Sequence, residues 1–506
     1  MKLPFSNWRD WELNPVVVKE LRQSVRSWAV TGMLMVFLVV LFLTSIGFLI
    51  GQSFTISPSQ MLGREIFIFY LMILTGACVL FIPVYIAVRV AGERQDNNVD
   101  LLYITTLSPG RIIRGKLLCG VYLTVLYFSA CMPFMVLTNQ LRGVDLPTIF
   151  VILVMVFLLV VFAIQFAIFL ACLPVSRNAK ILLAMPAVVG ALGLFGTLGF
   201  ASTEMIQSGV GSLLGTWRFW GPALTALIVG GMVFGLFYLM SVALITPHSA
   251  NRALPLRIYV TALWAISGVV ATSWAMVNTS ANELLPWASL SVGVLIIALL
   301  CSVSEHDTRS IRVQRTIPTD PRKRLVAFFF FGGAAGGIAW SMLLLGATLI
   351  VLRLLDALQA SWLGTGFLTE INHFCNVSQI VGLYAFSYSL TAMFIHRQFL
   401  AHKPPVAAGI LALLLPGLWA IVPNVVLFFM NELSWSALER LQLGNVFNVF
   451  IAKAEDNEIY HLGFAFFWAV AAIVLNARWF ARQVAHFIPY RAAATGREPG
   501  GAATRI

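Results

Sequence analysis

Residues that could carry out chemistry are few in this chain, and none forms a recognised catalytic pattern. The seven histidines include no H-E-x-x-H pair. The nearest polar group is His373 with Glu370, Asn372 and Asn376, which we interpret as a solvated interface at the outer mouth of a span. Because no nucleophile, base or metal-ligand set emerges, the sequence predicts a chain that is not an enzyme and has no cofactor of its own.

Two other patterns suggest chemistry and are better explained without it. The six cysteines lie in or beside apolar runs and form no C-x-x-C pair, as is typical of packing residues. Residues 110–117 resemble the phosphate-binding loop G-x-x-x-x-G-K-[ST]. However, Leu117 replaces the required hydroxyl and no strand precedes the segment. We interpret this match as coincidence.

Composition places most of the chain in a membrane. Of its 506 residues 59% are hydrophobic and 11% charged, with a mean hydropathy of +0.88, whereas soluble domains carry about 25% charged residues. The net charge of +12 is scattered between apolar runs, which favours membrane topology over nucleic-acid binding. The predicted fold class is an all-α, polytopic integral membrane protein in a lipid bilayer.

Apolar runs of about 20 residues, long enough to cross a bilayer, occur twelve times. They cover residues 29–51, 66–88, 116–138, 147–173, 180–201, 220–245, 256–277, 285–302, 326–351, 374–395, 405–431 and 459–477. Small residues at short spacing predict close helix packing, in two series: Gly190, Gly193, Gly196, Gly199, and Gly332, Gly333, Gly336, Gly337.

The basic residues set the expected orientation. With the N-terminus in the cytoplasm, all but six of the 33 lysines and arginines lie on the cytoplasmic side. The six on the other side are Arg64, Arg142, Arg218, Arg353, Arg440 and Lys453. Both termini are therefore predicted to be cytoplasmic.

Residues 1–28 are predicted to hold an amphipathic helix on the cytoplasmic membrane surface. Asn14 is a favourable N-cap residue and Pro15 suits the first helical position. The expected apolar face carries Val17, Leu21, Val25 and Trp28. The expected polar face carries Lys19, Arg22, Gln23 and Arg26.

The cytoplasmic loop at residues 89–115 is the most informative stretch outside the membrane. Its acidic start precedes one predicted helical face of Val99, Leu102, Tyr103 and Thr106. Ser108 and Pro109 end that helix and start the next. A short helix with an apolar face below the membrane suits docking into a groove on a partner.

At this loop the chain resembles the permease subunits of bacterial type-2 ABC exporters. The residues in step with the family pattern are Glu93, Arg94, Val99, Asp100, Leu101, Leu102, Thr105, Leu107, Ser108, Gly115 and Lys116. Asn97, Asn98 and Thr106 depart from it. The N-terminal series Asn14, Pro15, Glu20, Leu21 and Arg22 also resembles the interfacial helix of the family.

The resemblance implies a six-helix unit that works in pairs in the bacterial inner membrane. Residues 93–107 would form a coupling helix in the cleft of a separate ATPase subunit, present in two copies and holding ATP and magnesium. The contacts it implies are Glu93, Arg94, Asp100, Leu101, Leu102, Thr105, Ser108 and Lys116. The expected function is export of an unidentified substrate.

Twelve spans also suggest a six-plus-six duplication, with units at residues 29–250 and 251–506. The loop at residues 303–325 then corresponds to the first coupling loop, with Glu305 leading it as Glu93 leads the first. The alternatives are a six-helix permease with an unrelated extension, and pairing of two whole chains in a homodimer.

Two other function classes remain open at this stage. An ion-coupled secondary transporter usually buries ionisable residues in mid-membrane, whereas the spans here offer neutral groups such as Gln165, Asn376, Gln379 and Asn424. A membrane-embedded enzyme would need a catalytic constellation, which the pattern of histidines and carboxylates does not provide.

Overall fold

The computed structural model describes residues 15–53, 62–95, 108–140, 144–173, 177–208, 214–247, 249–277, 281–363, 368–430, 442–451 and 455–490. Every regular element in these ranges is helical. The chain divides into two compact units, Met1–Pro247 and His248–Ile506.

The first unit contains a short helix followed by six spans. Its helices are α1 (Pro15–Val25), α2 (Trp28–Ser53), α3 (Leu62–Gly76), α4 (Ile82–Gln95), α5 (Pro109–Gln140), α6 (Leu146–Cys172), α7 (Arg177–Ser208) and α8 (Trp217–Ile245). The π-helical turn Ala77–Phe81 joins α3 to α4, so these two helices make up the second span.

The second unit has six more spans and several short helices. Its helices are α9 (Ala253–Val277), α10 (Leu285–Ser302), α11 (Ile311–Gln314), α12 (Pro321–Phe330), α13 (Ala334–Leu363), α14 (Leu368–Phe399), α15 (Val406–Phe429), α16 (Asn448–Ile451) and α17 (Glu455–Ala485). A 3-10 turn, Ala281–Leu284, precedes α10.

Within the described residues, twelve helices are long and apolar enough to cross a membrane. The predicted all-α polytopic fold is confirmed, and the chain is a multi-pass membrane protein. The ninth predicted span began too early, at residue 326. Residues Pro321–Phe330 form a separate helix, and the span itself runs over Ala334–Leu355.

Backbone geometry explains this break. Gly333 has φ +138°, a conformation that side-chain-bearing residues rarely adopt, so the chain turns between α12 and α13. A Cβ atom at Gly336 would overlap the Phe328 carbonyl oxygen, and one at Gly337 would lie 2.5 Å from the Ser302 hydroxyl. These glycines permit a sharp turn as well as close approach, which the small-residue pattern alone did not reveal.

The other glycine series does not pack as expected. Cβ atoms built at Gly190, Gly193 and Gly196 would meet no atom within 4 Å, and only Gly199 lies against a side chain, that of Met72. The prediction of close helix packing is therefore wrong for three of the four glycines in this series.

Helix packing follows the same order in each unit. The fourth span of the first unit, α6, packs against its second, third, fifth and sixth spans. The fourth span of the second unit, α14, packs against the second, third, fifth and sixth spans of that unit. Buried polar contacts reinforce this centre, since Gln165 donates to Ser241 at 3.1 Å in one unit and Asn476 donates to the Leu390 carbonyl at 3.1 Å in the other.

Gly337→Ala should destabilise the second unit, because the added methyl group would overlap the Arg257 guanidinium. We expect a loss of about 1–3 kcal/mol, as for other overpacked cores, measured as a lower Tm in detergent. Gly346→Ala is the matched control, since its Cβ atom meets nothing within 4 Å. Equal melting temperatures for the two variants would contradict this account of the packing.

Candidate functional site

One face of α1 packs against the protein, and the rest of the helix is largely exposed. Its buried residues are Val16, Val17, Glu20 and Ser24. Val25 and Trp28, expected on the apolar face, are 71% and 90% exposed. Trp28 begins the first span rather than belonging to α1. The polar Glu20 turns inward because its partners lie on the second and third spans.

Five charged side chains meet where α1 crosses the ends of these two spans. This charged cluster consists of Lys19, Glu20, Arg89, Glu93 and Lys116. The Lys116 ammonium donates to Glu20 at 3.1 Å and to Glu93 at 2.7 Å. Lys19 donates to Glu93 at 3.1 Å, and Arg89 lies 3.3 Å from Glu20. Each acid therefore contacts two cations.

Burial decides which of these pairs contributes most. The side chains of Glu20 and Lys116 are 3% and 5% exposed. Removing one partner of a buried pair typically costs about 3–5 kcal/mol. The remaining contacts of Lys116 with Glu93 and of Glu20 with Arg89 place the expected cost here at the lower end of that range. Lys19 is 55% exposed, and pairs of that kind contribute about 0–1 kcal/mol. The contact between Glu20 and Lys116 therefore dominates the cluster.

A second layer of polar contacts orients Arg89. Its guanidinium donates to the Tyr85 hydroxyl at 2.9 Å and to the Gln23 side-chain oxygen. Tyr85 donates in turn to Ser24 at 3.3 Å, and the Ser24 hydroxyl lies 3.5 Å from the Cys119 sulfur. These contacts join α1, α4 and α5 at one point, so the three helices are expected to move together.

Two residues of the charged cluster lie near the two ends of the loop at residues 89–115. Glu93 lies two residues before the end of α4, and Lys116 lies in the second turn of α5. Their contact at 2.7 Å joins α4 to α5, the helices on either side of residues 96–107, which lie outside the described residues. Ser108 is exposed, and its carbonyl accepts from the Arg111 amide at 2.9 Å at the start of α5.

The other residues of the predicted site lie either on α1 and α4 or outside the described residues. Pro15 is the first residue of α1, as predicted, and Arg22 is exposed on that helix. Arg94 belongs to α4, although its side chain is not described. The predicted residues that lie outside the described residues are Asn14, Asp100, Leu101, Leu102 and Thr105.

Lys116 and Glu93 differ in how far they reach the surface. Lys116 is buried and bound within the chain, so its place in the site is structural. Glu93 is 26% exposed and shared between two lysines. Sequence reasoning did not identify Lys19 or Arg89 as members of the site. The signal available was charge balance, since the acids of α1 and α4 need basic partners once they leave water.

The second unit carries an acid at the corresponding position. Glu305 follows the second span of that unit and pairs with Arg257, in the first span, at 2.5 Å. It also accepts from the Gly333 amide at 2.7 Å, at the start of the third span. Arg257 donates further to the carbonyls of Phe329 and Phe331, at 2.9 and 2.7 Å. Glu305 thus contacts the first span and the residue just before the third span, whereas Glu93 joins α1 to the third span in the first unit.

Two further charges lie in the loop that contains Glu305. Asp307 accepts from the Trp479 indole at 2.9 Å and lies partly buried in this loop. Burial raises the pKa of Asp307 above its ordinary value, against the opposing effects of Trp479 and Arg309. Burial also lowers the pKa of Arg309, which stacks 4.8 Å from the Phe487 ring centre.

Metal chemistry finds no geometric support in the part of the chain that is described. No three His, Cys, Asp or Glu side chains there are placed to hold a metal ion. Comparison with protein-family models, with curated proteins and with solved structures found no match. The case for function therefore rests on the site itself and on the sequence resemblance.

Glu20→Gln should lower stability by about 3 kcal/mol, because Lys116 would lose a charged partner in a buried position. The measurement is the free energy of unfolding in detergent. Lys19→Gln is the matched control and should cost less than about 1 kcal/mol, since Lys19 is largely exposed. Equal losses for the two variants would show that burial does not set the strength of the cluster.

Asp307→Asn should raise the Tm near neutral pH, because the amide keeps an oxygen for Trp479 and carries no charge. In the folded protein the raised pKa makes Asp307 bind protons more readily than in the unfolded chain. Stability therefore falls as pH rises through that pKa. The increase in Tm caused by Asp307→Asn should therefore become smaller as the pH falls toward about 4. A Tm difference that does not change with pH would contradict this.

Proposed function

We propose that this chain is the membrane-spanning permease subunit of an ABC exporter in a bacterial inner membrane. In this proposal it has no catalytic centre of its own. A separate ATPase binds ATP and magnesium, and its closure moves the permease through residues 93–107. The observation that carries the proposal is the contact between Glu93 and Lys116, at 2.7 Å, which fixes both ends of the resembling loop to the bundle.

The geometry of the charged cluster suits the transmission of force. A docking helix transmits motion only if its ends are attached firmly to the spans that must move. Here one acid contacts α1 through Lys19 and α5 through Lys116. Because the pair between Lys116 and Glu20 is almost fully buried, salt screens it much less than a surface pair. A push on the loop would therefore reach three helices together.

In this proposal Glu93 and Lys116 position the loop, and Leu101 and Leu102 supply its apolar contact with the ATPase. Apolar side chains at interface centres typically anchor a helix in a partner groove. Charges held by their own chain, as Glu93 and Lys116 are, have less to offer a partner. This division of roles assigns binding and positioning to different residues of the loop.

The similarity of the two units favours the interpretation that one chain carries two docking loops. Both have the same order of span packing, and both place an acid at or just beyond the end of the second span, in contact with residues at or just before the third. We propose that they arose by duplication and that the loop at 303–325 corresponds to the loop at 89–115. A single short helix buries far less than the roughly 1,000 Å² expected of a stable interface, so two loops would serve a pair of ATPase subunits.

The orientation in the proposal follows from charge. With the charged cluster on the cytoplasmic face, both termini also lie in the cytoplasm and most basic residues are inside. An ATPase that uses cytoplasmic ATP must dock on that face. The positive-inside pattern and the position of the loop thus agree with each other.

Leu101→Asp should weaken ATPase association about tenfold, because burying an unpaired carboxylate in an apolar groove costs at least about 1.4 kcal/mol. In this experiment the chain is co-expressed with a candidate ABC ATPase from the same organism. The recovered ATPase and its ATP hydrolysis are measured on the purified complex. Leu101→Ile, which conserves volume and polarity, is the matched control and should keep both. Full association of the Leu101→Asp variant would show that this loop is not the docking element.

A further inference from the structure

A groove lies within the second unit, between α13 and α14. Its volume is about 650 Å³, within the range of ligand pockets in proteins. Its walls are mostly apolar and include Leu345, Gly346, Ile350 and Leu354 from α13 and Leu383 from α14. Ile350 and Leu354 are 66% and 57% exposed, so one side of the groove opens outward.

Among the lining residues that the structure describes, Arg353 alone is charged, and it lies at one end of the groove. Arg353 lies two residues before the end of the span Ala334–Leu355, where lipid headgroups begin. Its guanidinium donates to the side-chain oxygens of Asn372 and Asn376, the latter at 2.8 Å. Both partners are neutral amides. The described contacts orient the cation without neutralising it.

Among the acids whose side chains are described, Glu458 is linked to Arg353 through Asn376 and is itself bound to other groups. Glu458 accepts from the Asn376 amide at 3.0 Å and pairs with His373. Asn376 therefore bridges Arg353 and Glu458 and keeps the guanidinium at the mouth of the groove. Arg353 thus places a fixed positive charge at headgroup level beside an apolar groove. This arrangement is complementary to an anionic lipid, which has a negative headgroup and apolar chains.

We propose that this groove binds an acidic phospholipid from the leaflet in which Arg353 lies. One acyl chain would occupy the apolar walls, and the phosphate would pair with Arg353. Guanidinium and phosphate oxygens form charge-assisted, often bidentate hydrogen bonds. Lipid tails are as apolar as leucine side chains, so exchange of a chain between bilayer and groove is nearly neutral. The ion pair between the phosphate and Arg353 therefore provides the selectivity for acidic over neutral phospholipids.

A matched pair of substitutions separates the two parts of the proposal. Arg353→Gln removes the charge and leaves the groove open. Gly346→Trp fills the groove and leaves Arg353 in place, because a Cβ atom at Gly346 meets nothing within 4 Å. Arg64→Gln removes a basic residue that is also predicted on the outer side, in the other unit, and is the control. Tm values for all variants establish that each one folds.

The experiment is native mass spectrometry of the delipidated full chain, titrated with phosphatidylglycerol or phosphatidylcholine. We expect a saturable first phosphatidylglycerol that binds about fivefold more tightly than phosphatidylcholine, the ratio for about 1 kcal/mol from one arginine near lipid headgroups. Arg353→Gln should abolish this preference. Gly346→Trp should remove the saturable site, and Arg64→Gln should change neither. Inorganic phosphate should not compete, because it lacks a chain to fill the groove.

Three results would overturn the proposal. The first is equal binding of the two lipids to the wild-type chain, which would indicate annular lipid only. The second is a preference for phosphatidylglycerol that survives Arg353→Gln, or a saturable site that survives Gly346→Trp. The third is a wild-type dimer that Gly346→Trp converts to monomer, which would assign the groove to a second copy of the chain. Since the site involves neither loop, loss of ATPase binding in Leu101→Asp leaves this test unaffected.

Discussion

The buried ion pair between Glu20 and Lys116 is the interaction on which the first unit depends. Taking a carboxylate and an ammonium out of water costs several kcal/mol each, and their attraction offsets this only with good geometry and further hydrogen bonds. Here Glu20 also has Arg89, and Lys116 also has Glu93. The charges are therefore compensated only when α1, the second span and the third span are all in place. That requirement turns a surface helix into part of the bundle.

The second unit reaches a related arrangement with other chemistry. Its acid, Glu305, takes an arginine from the first span and a backbone amide from the residue just before the third. The positive φ of Gly333 frees that amide at the break before α13, so the turn and the acid depend on each other. Where the first unit uses a lysine, the second uses a helix N-terminus, which also favours an anion. Similar positions with different donors are what divergence after duplication would produce.

Hydropathy was enough to predict the membrane fold, because spans are fixed by local composition. Hydropathy failed where tertiary contacts determine the start of a helix or the burial of a side chain. The start of the ninth span was missed because residues 326–330 are apolar and helical, and only the Gly333 turn separates them from α13. The burial of Glu20 was not predicted, because Glu20 is polar in isolation and is buried only through its contact with Lys116. The family resemblance pointed to Glu93 and Lys116, yet it could not show that they bind each other. The groove beside Arg353 has no pattern in the sequence, since its walls come from two helices.

The central claim is that Glu20 and Lys116 act as one unit, and a double-mutant cycle tests it most directly. The free energy of unfolding in detergent would be measured for the wild type, Glu20→Gln, Lys116→Met and the double variant. Direct contact predicts a coupling energy of about 1–3 kcal/mol, with the double variant less damaged than the sum of the single variants. Additivity to within about 0.5 kcal/mol would show that the two side chains do not interact, and the account of the charged cluster would be wrong.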